Sequence, residues 1–244
     1  MSDERARIAR LKITLDWVEP AVVRRVEVPL AIKLSNLHLV IQAVMPWWNY
    51  HLYEFRAGRR TWGVPDREFS AFGPGPGDAR KMTLAEVVEG VTDPMARLAL
   101  LIAAAAASKP KAAGKPVKSM KYLYDFGDGW EHTVKIEKIA EAEADSVYPR
   151  LLDASGRCPP EDCGGPPGYE RYLAVIADPA HAEHADMIEW RGPGFNPETV
   201  DVADLEKGLA KLARKLAPKA ARPQPGTAPA KPKKTRAWHW APKG

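Results

Sequence analysis

Hydrophobic and polar positions alternate with period two over residues 8–18. Leu11, Ile13, Leu15 and Trp17 fall on one side, and Arg10, Lys12, Thr14 and Asp16 on the other. That pattern predicts a half-buried strand. Residues 22–29 read as a second strand, ended by Pro29 and antiparallel to the first. The period then changes: Leu34, Leu37, His38, Ile41 and Met45 share a helical stripe, Ser35 is the expected N-cap, and Pro46 stops the run. His38 reads as a histidine at the core edge, bonded to backbone, in preference to a ligand. Trp47-Trp48-Asn49 is a turn, followed by strands at residues 51–55 and 60–64 joined tightly through Ala57-Gly58. Residues 65–80 form a loop. Thr83 caps a short helix over 84–89, an alanine-rich helix follows Asp93-Pro94 to residue 107, and residues 109–118 form a basic loop.

The next stretch, residues 124–132, carries two aromatics, two acids and a histidine around a turn. Residues 121–126 and 130–139 read as two strands, with Asp128-Gly129 as a type I′ turn between them. That register sets Asp125 opposite His132, Leu123 opposite Val134 and Gly127 opposite Trp130, so an Asp–His pair arises from pairing alone. Residues 140–147 read as an acidic loop, and Cys158-Pro159-Pro160-Glu161-Asp162-Cys163-Gly164-Gly165 as rigid, irregular backbone. Tyr169, Tyr172, Leu173 and Ile176 predict a helix to about Asp178. His181, Glu183, His184, Asp186 and Glu189 crowd the segment beyond it, and residues 202–216 form a last amphipathic helix with Leu205, Leu209 and Leu212 on its stripe.

Charge changes the picture at the C-terminus. All 31 acids precede Lys211, while ten of the 36 bases lie from Lys211 onward, so an acidic body precedes a basic, Pro/Ala/Lys-rich tail. Residues 217–244 show no periodic apolar pattern and are expected to be disordered. A mildly acidic body does not predict a nucleic-acid groove. No apolar run is long enough for a membrane span and the charged N-terminus has no signal-peptide core, so a cytoplasmic protein with no membrane partner is expected. Two cysteines make no disulfide framework.

A set of ordered motifs then carries a resemblance. They are Val22-Val23-Arg24-Arg25-Val26-Glu27-Val28-Pro29; Leu37-His38 with Ile41-Gln42; Trp48; His51-Leu52-Tyr53-Glu54-Phe55; residues 124–132; residues 158–165; Gly168-Tyr169; Asp178-Pro179; and residues 190–198. In this order the chain resembles the plasmid pRiA4b open-reading-frame-three family over roughly residues 8–210. The resemblance implies a single α+β domain and an occurrence in bacteria partly on mobile elements. The family has been likened to resolvases. A serine recombinase needs a nucleophilic serine among arginines, whereas Ser2 sits in the terminus and Ser35 reads as a cap. Val23 stands where the family usually has tryptophan, and Leu151 where many members have a further cysteine, which weakens a metal-site reading.

Three candidate chemistries remain. Asp125, Asp128 and His132 offer acid–base groups, since a carboxylate orients an imidazole and raises its pKa. No Gly-x-Ser-x-Gly elbow or Cys–His signature supplies a nucleophile, and the same pair serves equally to pin a hairpin register. Cys158, Cys163, His181 and His184 are ligand types that suit zinc, with His51 and His132 as further partners; the alternative is a rigid loop with free or disulfide-linked cysteines. In the tail, Lys231, Lys233, Lys234 and Arg236 suit non-specific nucleic-acid binding and Trp238 and Trp240 suit base stacking, against a tail that merely solubilises. The glycine-rich pieces at 73–77 and 164–168 lack a Walker lysine.

The expectation is one α+β domain over residues 1–216, a largely antiparallel sheet packed by helices, with a disordered basic tail over 217–244. The leading function is a non-enzymatic binding module without cofactor, associated with mobile elements and contacting nucleic acid through the tail. The alternatives are a hydrolase or nuclease-like enzyme using Asp125, Asp128 and His132 with a metal, and an interaction module using exposed Trp47, Trp48 and Trp62.

Overall fold

The predicted alternation at the start of the chain produces β1 (Arg7–Leu15), whose Leu11, Ile13 and Leu15 are buried while Arg10, Lys12 and Thr14 are half-exposed. β2 (Val22–Pro29) pairs with it antiparallel. The alternation ends before Trp17, which takes a left-handed φ of 66° and is exposed rather than sharing the buried face of β1. The computed structural model describes residues 6–65, 75–90 and 116–217. The remaining strands are β3 (Tyr53–Ala57), β4 (Arg60–Gly63), β5 (Gly77–Asp78), β6 (Ser119–Tyr124), β7 (Trp130–Glu141) and β8 (Arg150–Ser155). They form one sheet in the order β5-β4-β3-β6-β7-β1-β2-β8, antiparallel throughout except for the two-residue β4–β5 pair. The helices are α1 (Leu34–Val44), α2 (Leu84–Val88), α3 (Gly165–Ala177), α4 (His184–Arg191) and α5 (Val202–Leu216). The fold is therefore α+β, as expected. The alanine-rich helix near residues 94–107 and the tail beyond residue 217 lie outside the described residues.

α1 is buried nearly all round, including His38 and Gln42, because it lies on the sheet and is covered by α5. Arg24 on β2 donates from Nε to the Val44 carbonyl (2.8 Å), and His38 meets the Tyr122 hydroxyl of β6 (2.7 Å), which tie the helix to two strands. The N-cap position is Lys33, not Ser35. The first amides of α1 are already satisfied, since Leu34 and Ser35 donate to the carbonyls of Met82 and Ala79, so no side-chain cap is needed. Thr83 caps α2 with a reciprocal Glu86 contact, the capping box its position predicts. α5 begins with Asp201 accepting from the Asp204 amide and buries Leu205, Leu209 and Ala213.

Two elements differ from the sequence reading. β8 was not legible and lies within what read as connecting chain; among the described residues it is an edge strand paired only with β2, and its side chains are half-buried or exposed. The β6–β7 register is also shifted. Tyr122 opposes His132, Leu123 opposes Glu131 and Tyr124 opposes Trp130, so the connection is the five residues 125–129 rather than Asp128-Gly129 alone. Asp125 starts this turn with φ 55°; its carboxylate accepts from the Gly127 amide (2.9 Å) and its carbonyl from the Gly129 amide (2.7 Å). The turn closes on itself through Asp125, which takes that residue out of the ladder and leaves it not opposite His132.

Candidate functional site

The residue pair expected from the hairpin does not form. His132 is fully buried under Trp47 and Tyr122, and its Nδ1 lies 3.1 Å from the Trp130 carbonyl and 3.3 Å from that of Tyr122. Nδ1 is therefore the protonated nitrogen, and Nε2 has no partner. Burial pushes its pKa down to about 4, so it is a neutral core imidazole. His38 behaves alike: it stacks on Tyr53 with ring centroids 3.7 Å apart, bonds the Tyr122 hydroxyl and Asn49 Oδ1, and burial lowers it to about 4. Its partners are side chains, not backbone.

Asp128 docks the hairpin turn. Its Oδ2 accepts from the Gly164 amide (3.2 Å), and its carbonyl approaches Gly165 so closely that a Cβ there would lie 2.1 Å away. This contact brings together three segments far apart in sequence: residues 47–51 before β3, the turn 125–129, and the loop 158–165. Between them runs a hydrogen-bonded chain. The Tyr50 amide donates to the Tyr124 hydroxyl (3.1 Å), which donates to Glu161 Oε1 (2.7 Å), while Glu161 Oε2 accepts from the Trp48 amide (2.7 Å). Burial, and then the Glu161 carboxylate, hold the Tyr124 phenol neutral, well above its ordinary value. Trp47 closes the junction, donating from Nε1 to the Pro159 carbonyl (3.0 Å) and stacking on Tyr124. Trp47 and Trp62 are thus core residues; of the three tryptophans expected on the surface, only Trp48 is exposed.

The cysteines and histidines of the candidate zinc set are not brought together. Both thiols are free. Burial raises Cys158 far above an ordinary thiol and pushes Cys163 up to about 12, with Asp128 adding to the second shift. His184 Nδ1 bonds the Val175 carbonyl at the end of α3, and His181 Nδ1 accepts from the Glu183 amide. Among the described residues, the one cluster of three histidine, cysteine or acidic groups with ligand atoms all within 4.8 Å of one another is His51, Asp125 and Asp162. His51 Nε2 lies 3.1 Å from Asp162 Oδ1 and 3.5 Å from Asp125 Oδ2. The sequence had marked His51 only as a spare partner. Its real neighbours are 74 or more positions away and could not be paired by spacing.

An open cleft of about 720 Å³, lined in part by the loop 158–161, lies between the end of α1 and the start of α5. Arg24, Trp47, Arg157, Cys158, Glu161 and Arg191 line it, with Asp201 and Asp204 at its exposed lip. Arg24 is fully buried, bonds only the carbonyls of Val44, Val23 and Ser155, and leaves Nη2 without a partner. Burial lowers its pKa. Arg191 lies over the Trp190 ring, donates to the Glu161 carbonyl, and has a buried Nε with no partner. Arg157 is exposed and lies over Phe195. Sequence reasoning used Arg24 only as part of a motif. The alternation of β2 puts Arg24 on the same side as Val22, Val26 and Val28, which was the available signal that a charge is buried there.

The tail residues Lys231, Lys233, Lys234, Arg236, Trp238 and Trp240 lie outside the described residues. No described helix is long and apolar enough to cross a membrane.

Comparison with known proteins places this geometry. The family model described as plasmid pRiA4b ORF-3-like protein matches residues 7–96 and 109–204. The uncharacterized protein y4hQ of Sinorhizobium fredii (strain NBRC 101917 / NGR234) is 44% identical over 218 residues, which cover 89% of this chain and 98% of that protein. A solved structure of a protein of unknown function, MM3350 from Methanosarcina mazei Go1, superposes with a TM-score of 0.64 at 28% identity, over 82% of this chain and 98% of that one. These relatives carry no assigned activity. On the extent of the first match and the identity of the second, the chain belongs to the plasmid pRiA4b ORF-3-like family.

Proposed function

We propose that the protein is a non-enzymatic binding module whose body holds a small anionic ligand in the arginine-lined cleft. The observation that carries this reading is the imbalance of hydrogen-bonding groups there. Two residues that line the cleft, Arg24 and Arg191, each hold a buried, unpartnered polar atom, Nη2 and Nε, and both atoms are donors. An unsatisfied buried donor costs about 1–3 kcal/mol, and a buried cation without a carboxylate costs more. Two of the cleft's acids are already engaged, Glu161 through both oxygens by Trp48 and Tyr124 and Asp201 as the cap of α5, and Asp204 is exposed at the lip. A carboxylate- or phosphate-bearing molecule supplies the missing acceptors, with Trp47 and Phe195 as apolar walls.

Isothermal titration with inorganic phosphate, pyrophosphate, a nucleoside monophosphate and a dicarboxylate tests it. Saturable binding of one of these, weakened at least tenfold in Arg157→Gln and Arg191→Gln, is the expected result. No binding by any of the four at about 1 mM refutes the anion reading.

The same module acts in the cytoplasm, in association with mobile elements, and contacts nucleic acid through its basic tail. The family's plasmid origin, the two free cysteines and the ten acid-free bases support this. A chain ending at residue 217 is expected to lose salt-sensitive binding to mixed-sequence duplex DNA. Unchanged binding refutes the tail's role.

A further inference from the structure

We propose that His51, Asp125 and Asp162 form a binding site for one divalent transition-metal ion, separate from the cleft and from the cysteine-containing set. The first argument is distance. With metal–ligand bonds of ~2.1 Å, two ligand atoms at right angles about one ion lie ~3.0 Å apart, and at the tetrahedral angle ~3.4 Å. His51 Nε2 lies 3.1 Å from Asp162 Oδ1 and 3.5 Å from Asp125 Oδ2. The two separations from the imidazole nitrogen thus already match those of ligands sharing an ion, and the two carboxylates bring one oxygen each within 4.8 Å of the other.

The second argument is charge. Two carboxylates converge on one imidazole, and no lysine or arginine pairs with either among the described residues. The Asp125 side chain is 12% exposed, and its Oδ1 is taken by the Gly127 amide. Its Oδ2 lies 3.5 Å from His51 Nε2. Two carboxylates sharing one imidazole are stabilised by a further cation between them.

The third argument is positioning. The Tyr124 ring stands edge-on to the His51 ring, with centroids 5.7 Å apart. Tyr124 is itself fixed by Glu161, the residue preceding Asp162. Asp128 holds the turn bearing Asp125 against Gly164, two residues beyond Asp162. The same contacts that dock the hairpin therefore fix all three ligands relative to one another.

One imidazole nitrogen and two carboxylate oxygens suit zinc, manganese, cobalt or ferrous iron better than calcium, which prefers an all-oxygen set. His51 is about one-third exposed and Asp162 about two-thirds, so the remaining coordination positions face solvent and take water or an oxygen-bearing ligand.

The test uses the full chain, stripped with chelator and titrated with Co²⁺ and Zn²⁺ by calorimetry and absorption. One equivalent is expected to bind, with a Co²⁺ spectrum lacking a thiolate charge-transfer band. Affinity should fall at least about tenfold in Asp162→Asn and in His51→Gln, and stay unchanged in Cys163→Ser. Asp162 is exposed, so its variant should melt like the parent without metal. The spectrum of the unmodified chain needs no variant at all. Absence of saturable binding at about 1 mM metal, a thiolate band, or full affinity in both ligand variants would each overturn the site. These outcomes are independent of the anion titrations.

Discussion

Lowering the pH from about 7.5 to about 5 should destabilise this protein by several kcal/mol through two histidines that no ligand touches. His38 and His132 are 3% and 0% exposed, and burial sets both folded-state pKa values at about 4. In the unfolded chain each titrates at about 6.5. The unfolded state therefore takes up protons that the folded state refuses, and stability falls as pH drops below about 6.5, levelling off below about 4. Each histidine contributes about 2 kcal/mol of this loss at about pH 5, or about 4 kcal/mol for the two, a large share of a typical 5–15 kcal/mol stability. Carboxylates do not confuse this window. Arg80 and Arg150 hold Asp78 and Glu143 below their ordinary values, so their contribution is lost only as pH falls through the ordinary carboxylate range and beyond. Urea unfolding by tryptophan fluorescence at several pH values measures the slope. His132→Phe keeps a ring in the core but removes the titrating group, so it should lower stability at neutral pH and about halve the loss between pH 7.5 and 5. His38→Gln should do the same, and the double variant should be nearly flat. A parent protein equally stable at both pH values, or a His132→Phe variant with the parent's slope, would refute the assignment.

Gly165→Ala should cost about 3 kcal/mol or more, because a Cβ at this left-handed position would lie 2.1 Å from the Asp128 carbonyl, whereas Gly58→Ala, also left-handed but with nothing within 4 Å, should cost only about 1 kcal/mol; equal urea midpoints for the two would contradict the docking of the turn on α3. Tyr124→Phe strands the Tyr50 amide and one oxygen of the buried Glu161, and a loss of about 1–3 kcal/mol is expected in the same assay. A melting temperature unchanged from the parent would show that the chain of bonds through Glu161 is dispensable. Both thiols should react slowly with Ellman's reagent near pH 8, Cys163 before Cys158, since burial raises both and only Cys158 is enclosed. Rapid modification of Cys158 in native buffer would rule out its buried position.

The sheet's early strands, α1, α2 and α5 could be read directly because each carries a complete local signal. β2 is bounded by its own proline, Thr83 sits three residues before Glu86, and the stripe of α5 repeats over four turns. β8 has no such pattern: Leu151 and Leu152 are adjacent and partly exposed, and the strand exists only because β2 offers an edge. The register of the hairpin failed for a different reason. Asp128-Gly129 is a strong two-residue turn signal, but Asp125 competes by folding its side chain onto Gly127, and an Asp two residues before a glycine was the cue for the longer turn. The observed register sets His132 opposite Tyr122 in the core instead of opposite Asp125. The candidate metal ligands were unreadable because His51 and Asp162 are 111 positions apart and meet where the Asp128 turn packs on the loop before α3. The partners of the buried Arg24 were hidden likewise, since they are backbone carbonyls, which have no sequence signature.

The strand order also bears on how the chain is made. β1 is synthesised before the other described strands, yet it lies inside the sheet between β2 and β7. Until residue 141 has been added, one of its edges has no partner and stays available to other chains. α1 is covered by α5, so its outer apolar side stays open until residue 216 is complete. Chains interrupted after α1 but before residue 141 therefore carry both an open β1 edge and a bare apolar helix, the two features that most favour aggregation and capture by chaperones, and chains interrupted between residues 141 and 216 still carry the bare helix. A nascent chain of this protein is thus committed to late closure, and the last described helix is the piece that ends its exposure.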